Sequence, residues 1–143
     1  MYEDEKQKRI AILQAEQEAK EESTAGKQAD EFLRKGEEKY WTRDFDGAVA
    51  EYTRAIDLNP SSFAAYHDRG VARYMQEKYK DALLDLSKAI ELKPQTAKLY
   101  ESRGYAHMKI GNMRDAVIDW EQAARMDPQL QDSLKVMIDY VGK

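Results

Sequence analysis

The sequence predicts an all-α fold of three tandem helix-turn-helix units, and three observations carry that prediction. The first is a fixed period. Gly36, Gly70 and Gly104 stand 34 residues apart, as do Ala48, Ala82 and Ala116, then Ala55, Ala89 and Ala123, and finally Pro60, Pro94 and Pro128. Four markers that keep one period without an insertion describe an array of equivalent units. The second is composition: three prolines and seven glycines in 143 residues are too few for a turn-rich all-β chain. With 42% hydrophobic residues there is enough to bury a core, and 35% charged residues suit helices with long solvated faces. The third is the pattern inside each period, where two helical stretches of roughly a dozen residues flank R-D-F-D-G, Q-E-K-Y-K-D or I-G-N-M-R-D.

Residues 1–28 come first, as a charged helical extension. Glu3–Arg9 and Glu16–Glu22 are dense in charge and good helix formers, Ile10, Ile12 and Leu13 form its one apolar cluster, and Ser23–Gly26 has the composition of a break. A solvated helix leading into the first unit is expected here, the alternative being that Ile10 and Leu13 dock into a groove of this chain or of a neighbour. Three units follow, at 29–62, 63–96 and 97–130. Each has an aromatic four residues before its glycine (Phe32, Tyr66, Tyr100), a bulky residue nine after it (Phe45, Tyr79, Met113) and another further on (Tyr52, Leu86, Trp120). Small residues between them allow helices to approach to the close end of the packing range, with the bulky ones filling the notches. Each unit closes where Asn59, Lys93 or Asp127 precedes a proline and is biased away from helical geometry. Last comes 131–143, where Leu134, Met137, Ile138 and Val141 share one helical face. Stacked units leave the last one's apolar side wet, so this stretch is expected to cap it.

On these residues the units resemble tetratricopeptide repeats over 29–130, whose pattern has an aromatic, a small residue four later, alanines and a closing proline. The resemblance implies a right-handed α-solenoid of three repeats with a C-terminal capping helix and an N-terminal charged helix. One recurrent departure is Lys35, Arg69 and Arg103, where the family more often has leucine. We read them as solvated or ion-paired stems covering apolar surface.

Several functions find no support in the residues. A formal charge of −4, without a run of lysine or arginine, argues against affinity for a nucleic-acid backbone. No stretch has the ~18 consecutive apolar residues of a membrane span, so no membrane insertion is expected, and neither does the N-terminus read as a signal peptide. The default expectation is a cytoplasmic protein. The absence of cysteine excludes disulfides and thiolate metal sites. His67 and His107 occupy different repeat positions, and there is no metal-ligand spacing and no phosphate-binding glycine loop. Hence no enzyme, cofactor or metal is predicted. His107, three after its glycine, is expected between helices, and His67 on the open face.

What remains is the inner wall that the first helices of such repeats line. The resemblance implies lining positions three before and one, four and five after the glycine: Leu33, Glu37, Tyr40 and Trp41; His67, Val71, Tyr74 and Met75; Glu101, Tyr105, Met108 and Lys109. Lys98 lies near one rim. The spacing supports this independently, since Leu33, Glu37 and Tyr40 fall on one stripe that the other units repeat. That wall is aromatic and apolar, with Glu37, Asp68 and Glu101 at its edges. The expected partner is a protein or peptide segment with apolar anchors, the alternative being a homo-oligomer formed through the N-terminal helix or the cap. A known use of the family is to clamp the acidic C-terminus of a heat-shock chaperone with basic and amide residues. Among Leu33, Glu37, Asp68, Lys98 and Ser102 only Lys98 suits that clamp, so such a tail is not expected here.

Overall fold

The computed structural model describes residues 2–142. Among these residues it is built of helices alone: α1 (Tyr2–Trp41), α2 (Phe45–Leu58), α3 (Phe63–Met75), α4 (Tyr79–Leu92), α5 (Ala97–Lys109), α6 (Met113–Met126), a 3-10 turn (Pro128–Leu130) and α7 (Gln131–Val141). Each helix packs on the next, α1 on α2 through α6 on α7, with lighter contact between alternate helices α1, α3 and α5. That is the solenoid expected from the period. No described helix is long and apolar enough to cross a membrane.

The turns inside the units share one geometry. Arg43, Glu77 and Gly111, again 34 apart, each adopt the left-handed region, with φ of 65°, 63° and 87°. The N–H of the next residue then reaches back to satisfy a late carbonyl of the preceding helix: Asp44 to Lys39, Lys78 to Arg73 and Asn112 to His107, each at 2.9 Å. Asp44 caps α2 through the Gly47 N–H, and Ser62 caps α3 through the Ala65 N–H.

The repeat markers are the core. Ala48, Ala55, Ala82, Ala89, Ala116 and Ala123 are fully buried, as are Tyr52, Leu86 and Trp120 to within 2%. Those three bulky side chains lie against the three glycines. A methyl on Gly36 or Gly104 would collide with the ring of Tyr52 or Trp120, and one on Gly70 would come within 3.0 Å of Leu86 Cγ.

Arg69 and Arg103 are ion-paired, and their partners are buried. Arg69 grips Asp85 with two hydrogen bonds of 2.8 and 2.9 Å, and Arg103 grips Asp119 with two of 2.7 and 2.8 Å. Each guanidinium also donates to the preceding unit, to Thr53 or Ser87, and lies over the aromatic three residues before it. A second base completes each site: Arg73 on Asp85 at 2.8 Å and His107 beside Asp119 at 3.7 Å. His107 thus lies between helices as expected. In the first unit Lys35 sits over Phe32, and the buried Glu51 is held by Lys39 and Arg54.

Two features differ from expectation or refine it. No break occurs at Ser23–Gly26: α1 runs through as one helix of 40 residues. A glycine costs about 1 kcal/mol relative to alanine inside a helix, too little to interrupt a run of Ala, Glu and Lys, and Thr24 spends its hydroxyl on the Lys20 carbonyl. Extension and first repeat helix are therefore one element. Residues 3–24 are exposed throughout, and burial begins at Ala29. At the other end α7 lays Leu134, Met137, Ile138 and Val141 on the Ala116–Trp120–Ala123 cluster, closing the stack.

Candidate functional site: a groove along the first helices

Two adjoining hollows of about 360 and 330 Å³ run along α1, α3 and α5 and share Val71 and Ser102. The first is lined by Glu37, Tyr40, Trp41, His67, Asp68 and Lys98, with Tyr52 beneath. The second is lined by Tyr74, Met75 and Tyr105, with Leu86 beneath. One half of the groove sets charged groups among its aromatic rings, and the other is almost wholly apolar.

The tyrosines are held by their own repeats. Tyr40 stands edge-on to Trp41 and Phe45 at 5.4 and 5.5 Å, Tyr74 to Tyr79 at 5.3 Å and Tyr105 to Trp120 at 5.3 Å. Rings fixed this way lose little further freedom when a ligand covers them. Partial burial pushes the Tyr74 and Tyr105 hydroxyls up from the ordinary tyrosine value, with Glu101 adding to the effect on Tyr105. At the floor Tyr52 is raised further, by burial and then by the nearby charges of Asp68 and Glu37. All three stay protonated near neutrality and can donate a hydrogen bond. Trp41 is 74% exposed at the groove's end, an unusual position for so large an apolar surface.

His67 joins two units across the charged half. Its Nδ1 lies 3.1 Å from Asp68 Oδ1 and its Nε2 3.2 Å from Ser102 Oγ on α5. The order serine, histidine, aspartate is that of hydrolase triads. Here, however, Ser102 sits inside a helix, where the surrounding N–H groups are committed to helix hydrogen bonds and none is free to form an oxyanion hole. The chain of contacts fixes the groove wall instead.

Nine of the expected lining residues therefore come together: Glu37, Tyr40, Trp41, His67, Val71, Tyr74, Met75, Lys98 and Tyr105. Four do not line these hollows, of which Lys109 is simply exposed at the end of α5. Leu33 is drawn into the small-residue core between α1, α2 and α3, against Ala48, Ala55, Ala65 and Ala72; an apolar side chain gains more there than in the open groove. Met108 leans onto the Trp120–Leu134 cluster, because the cap offers the last repeat an apolar wall. Glu101 meets the core through its backbone, whose carbonyl accepts the Trp120 indole N–H at 3.3 Å. The floor is not legible in the sequence. Tyr52 and Leu86 were legible as notch-fillers, and nothing in their spacing says that each also floors the groove.

The sequence matches the TPR repeat family over residues 43–77 and 72–111 and the tetratricopeptide repeat over 97–130. No curated protein sequence matches it. Solved structures of the same fold include the first TPR of Spaghetti (RPAP3) bound to the HSP90 peptide SRMEEVD, 21% identical with a TM-score of 0.76, covering 82% of this chain and 96% of that one. The Arabidopsis OM64 TPR domain is 24% identical with a TM-score of 0.77, covering 81% and 98%. The TPR2B domain of yeast Sti1, solved as a pHsp70 complex, is 25% identical with a TM-score of 0.71, covering 80% and 92%. These likenesses give no support to the expectation that acidic chaperone tails are excluded, since one of the folds is bound to such a peptide.

Proposed function

The chain belongs to the tetratricopeptide-repeat family, and from that premise we propose that it is an interaction module whose groove along α1, α3 and α5 holds a segment of a partner polypeptide by apolar anchors. The observation that carries this is the apolar half of the groove. Tyr74, Met75 and Tyr105 stand open over Leu86, although the stack already has its core. Anchors seated there would be desolvated against rigid rings, where truncating one contact costs about 1–3 kcal/mol. Calorimetric titration of a peptide selected on the purified chain tests it. Tyr74→Ala is expected to weaken binding by that amount, about 5- to 150-fold, with the thermal midpoint little changed; unchanged affinity would remove the groove from the account.

A second reading, an acidic chaperone tail, is favoured by the likeness to a domain bound to the HSP90 peptide SRMEEVD and by Lys98 in the charged half. Against it, Glu37 and Asp68 share that hollow and repel carboxylates. Titration with SRMEEVD separates the two. Micromolar binding lost in Lys98→Ala supports the acidic tail, and failure to bind supports apolar anchoring alone.

A further inference from the structure

The exposed part of α1 carries a surface that the groove does not explain. Over residues 3–24 nothing in the chain covers this helix. It is supported locally, by the Asp4–Lys8 pair at 3.1 Å and the Gln17–Glu21 hydrogen bond at 2.8 Å. Yet Ile10 and Leu13 are 38% and 53% exposed, and they line one shallow face with Gln14, Gln17 and Glu18.

Ile10 and Leu13 are three residues apart, the spacing of the a and d positions of a two-helix seam. The same seam runs through Glu3, Lys6, Ile10, Leu13, Gln17 and Lys20. Its charges decide the orientation of any pair. In a parallel, in-register pair each seam residue meets itself, so Glu3, Lys6 and Lys20 would each face a like charge. In an antiparallel pair a positions stack on d positions. Ile10 then lies on the second copy's Leu13, Lys6 on its Gln17, and Glu3 on its Lys20. Arg9 flanks the seam and faces the second copy's Glu16, and the two-fold axis repeats every one of these pairs. Self-complementarity of this kind identifies a second copy of the chain as the partner, because in that arrangement no seam charge meets its like and Glu3–Lys20 and Arg9–Glu16 bring opposite charges together. We propose that the α1 extensions of two chains pair antiparallel about Ile10 and Leu13, forming a weak homodimer that leaves both grooves open. Ile12, 59% exposed, lies off the seam and takes no part.

Sedimentation equilibrium of the full chain from micromolar to millimolar concentration tests this. Mass is expected to rise toward the dimer, Leu13→Glu to weaken association at least tenfold, and Ile12→Glu, the control, to leave it unchanged. Arg9→Glu and Glu16→Arg should each weaken association alone, while an equimolar mixture of the two variants restores it. Circular dichroism melts confirm that the variants keep folded repeats. A chain that stays monomeric at every concentration, a dimer that survives Leu13→Glu, or a mixture that restores nothing would overturn the proposal.

Discussion

At the scale of single residues the fold rests on acids that the period hides. Glu51, Asp85 and Asp119 are 34 apart and buried to 5% or less, and each has a base sixteen residues earlier in the chain: Lys35, Arg69 or Arg103. The arginines showed in the sequence as departures from the family pattern. Their partners did not, because an acid in the second helix has no local mark of burial and only three-dimensional stacking brings it opposite a guanidinium. In the first unit the spacing holds but the pair does not form, since Glu51 turns to Lys39 and Arg54. Removing Asp85 leaves Arg69 and Arg73 without a counter-charge in a half-closed site. Asp85→Ala is expected to cost about 3 kcal/mol in urea unfolding, the range for breaking such a pair; a loss below about 1 kcal/mol, the size of an exposed pair, would mean that solvent screens it. The groove tyrosines give a second residue-scale prediction. Tyr52, Tyr74 and Tyr105 are all raised by burial. A group raised on folding contributes its stability in full below its unfolded value, about pH 10 for tyrosine, and loses it as pH climbs toward the folded value. Stability should therefore be flat on approaching that pH and fall above it, with three tyrosines ionising late in the ultraviolet titration. Simultaneous ionisation of all nine tyrosines would contradict this.

At the scale of the element, the second helix of each unit sets how close the first can come, and glycine is the residue that yields. The strain differs among the units. The Gly104 position faces the Trp120 ring and the Gly70 position the more compliant Leu86. Gly104→Ala gains about 1 kcal/mol of helix propensity against an overpacking cost of about 1–3 kcal/mol, so a net loss of about 1 kcal/mol is expected. Gly70→Ala should come out near zero. Thermal melts that rank the two the other way would show that Trp120 shifts freely. The helix pairs, their boundaries at the prolines and the cap were legible because period and apolar spacing act along the chain. The left-handed turns were legible only at Gly111. Arg43 and Glu77 adopt the same φ under tertiary constraint, against their own preference. The unbroken α1 was missed for the opposite reason: one glycine reads as punctuation, but neighbouring helix formers outweigh it.

At the scale of the molecule, the six short helices of the repeats and the cap bury a continuous core and leave one curved face uncovered. Most of that face could be listed from the repeat position, since equivalent backbones present equivalent side chains. Two of the exceptions, Leu33 and Met108, are apolar residues at the ends of the stack. There a side chain finds a first-repeat core or a cap in place of a neighbouring repeat, and that difference is invisible to a periodic rule. The same end effect leaves the apolar hollow in the middle, under α3 and α5, where Tyr74, Met75 and Tyr105 converge. Backbone amide shift mapping by NMR, with a selected peptide titrated into the labelled chain, asks directly whether this is where a partner sits. The largest changes are predicted at Val71, Tyr74, Met75, Ser102 and Tyr105, absent from the outer helices α2, α4 and α6 except beneath the groove at Tyr52 and Leu86. Changes concentrated on those outer helices or on α7, with the groove silent, would contradict the assignment of the inner face as the binding surface.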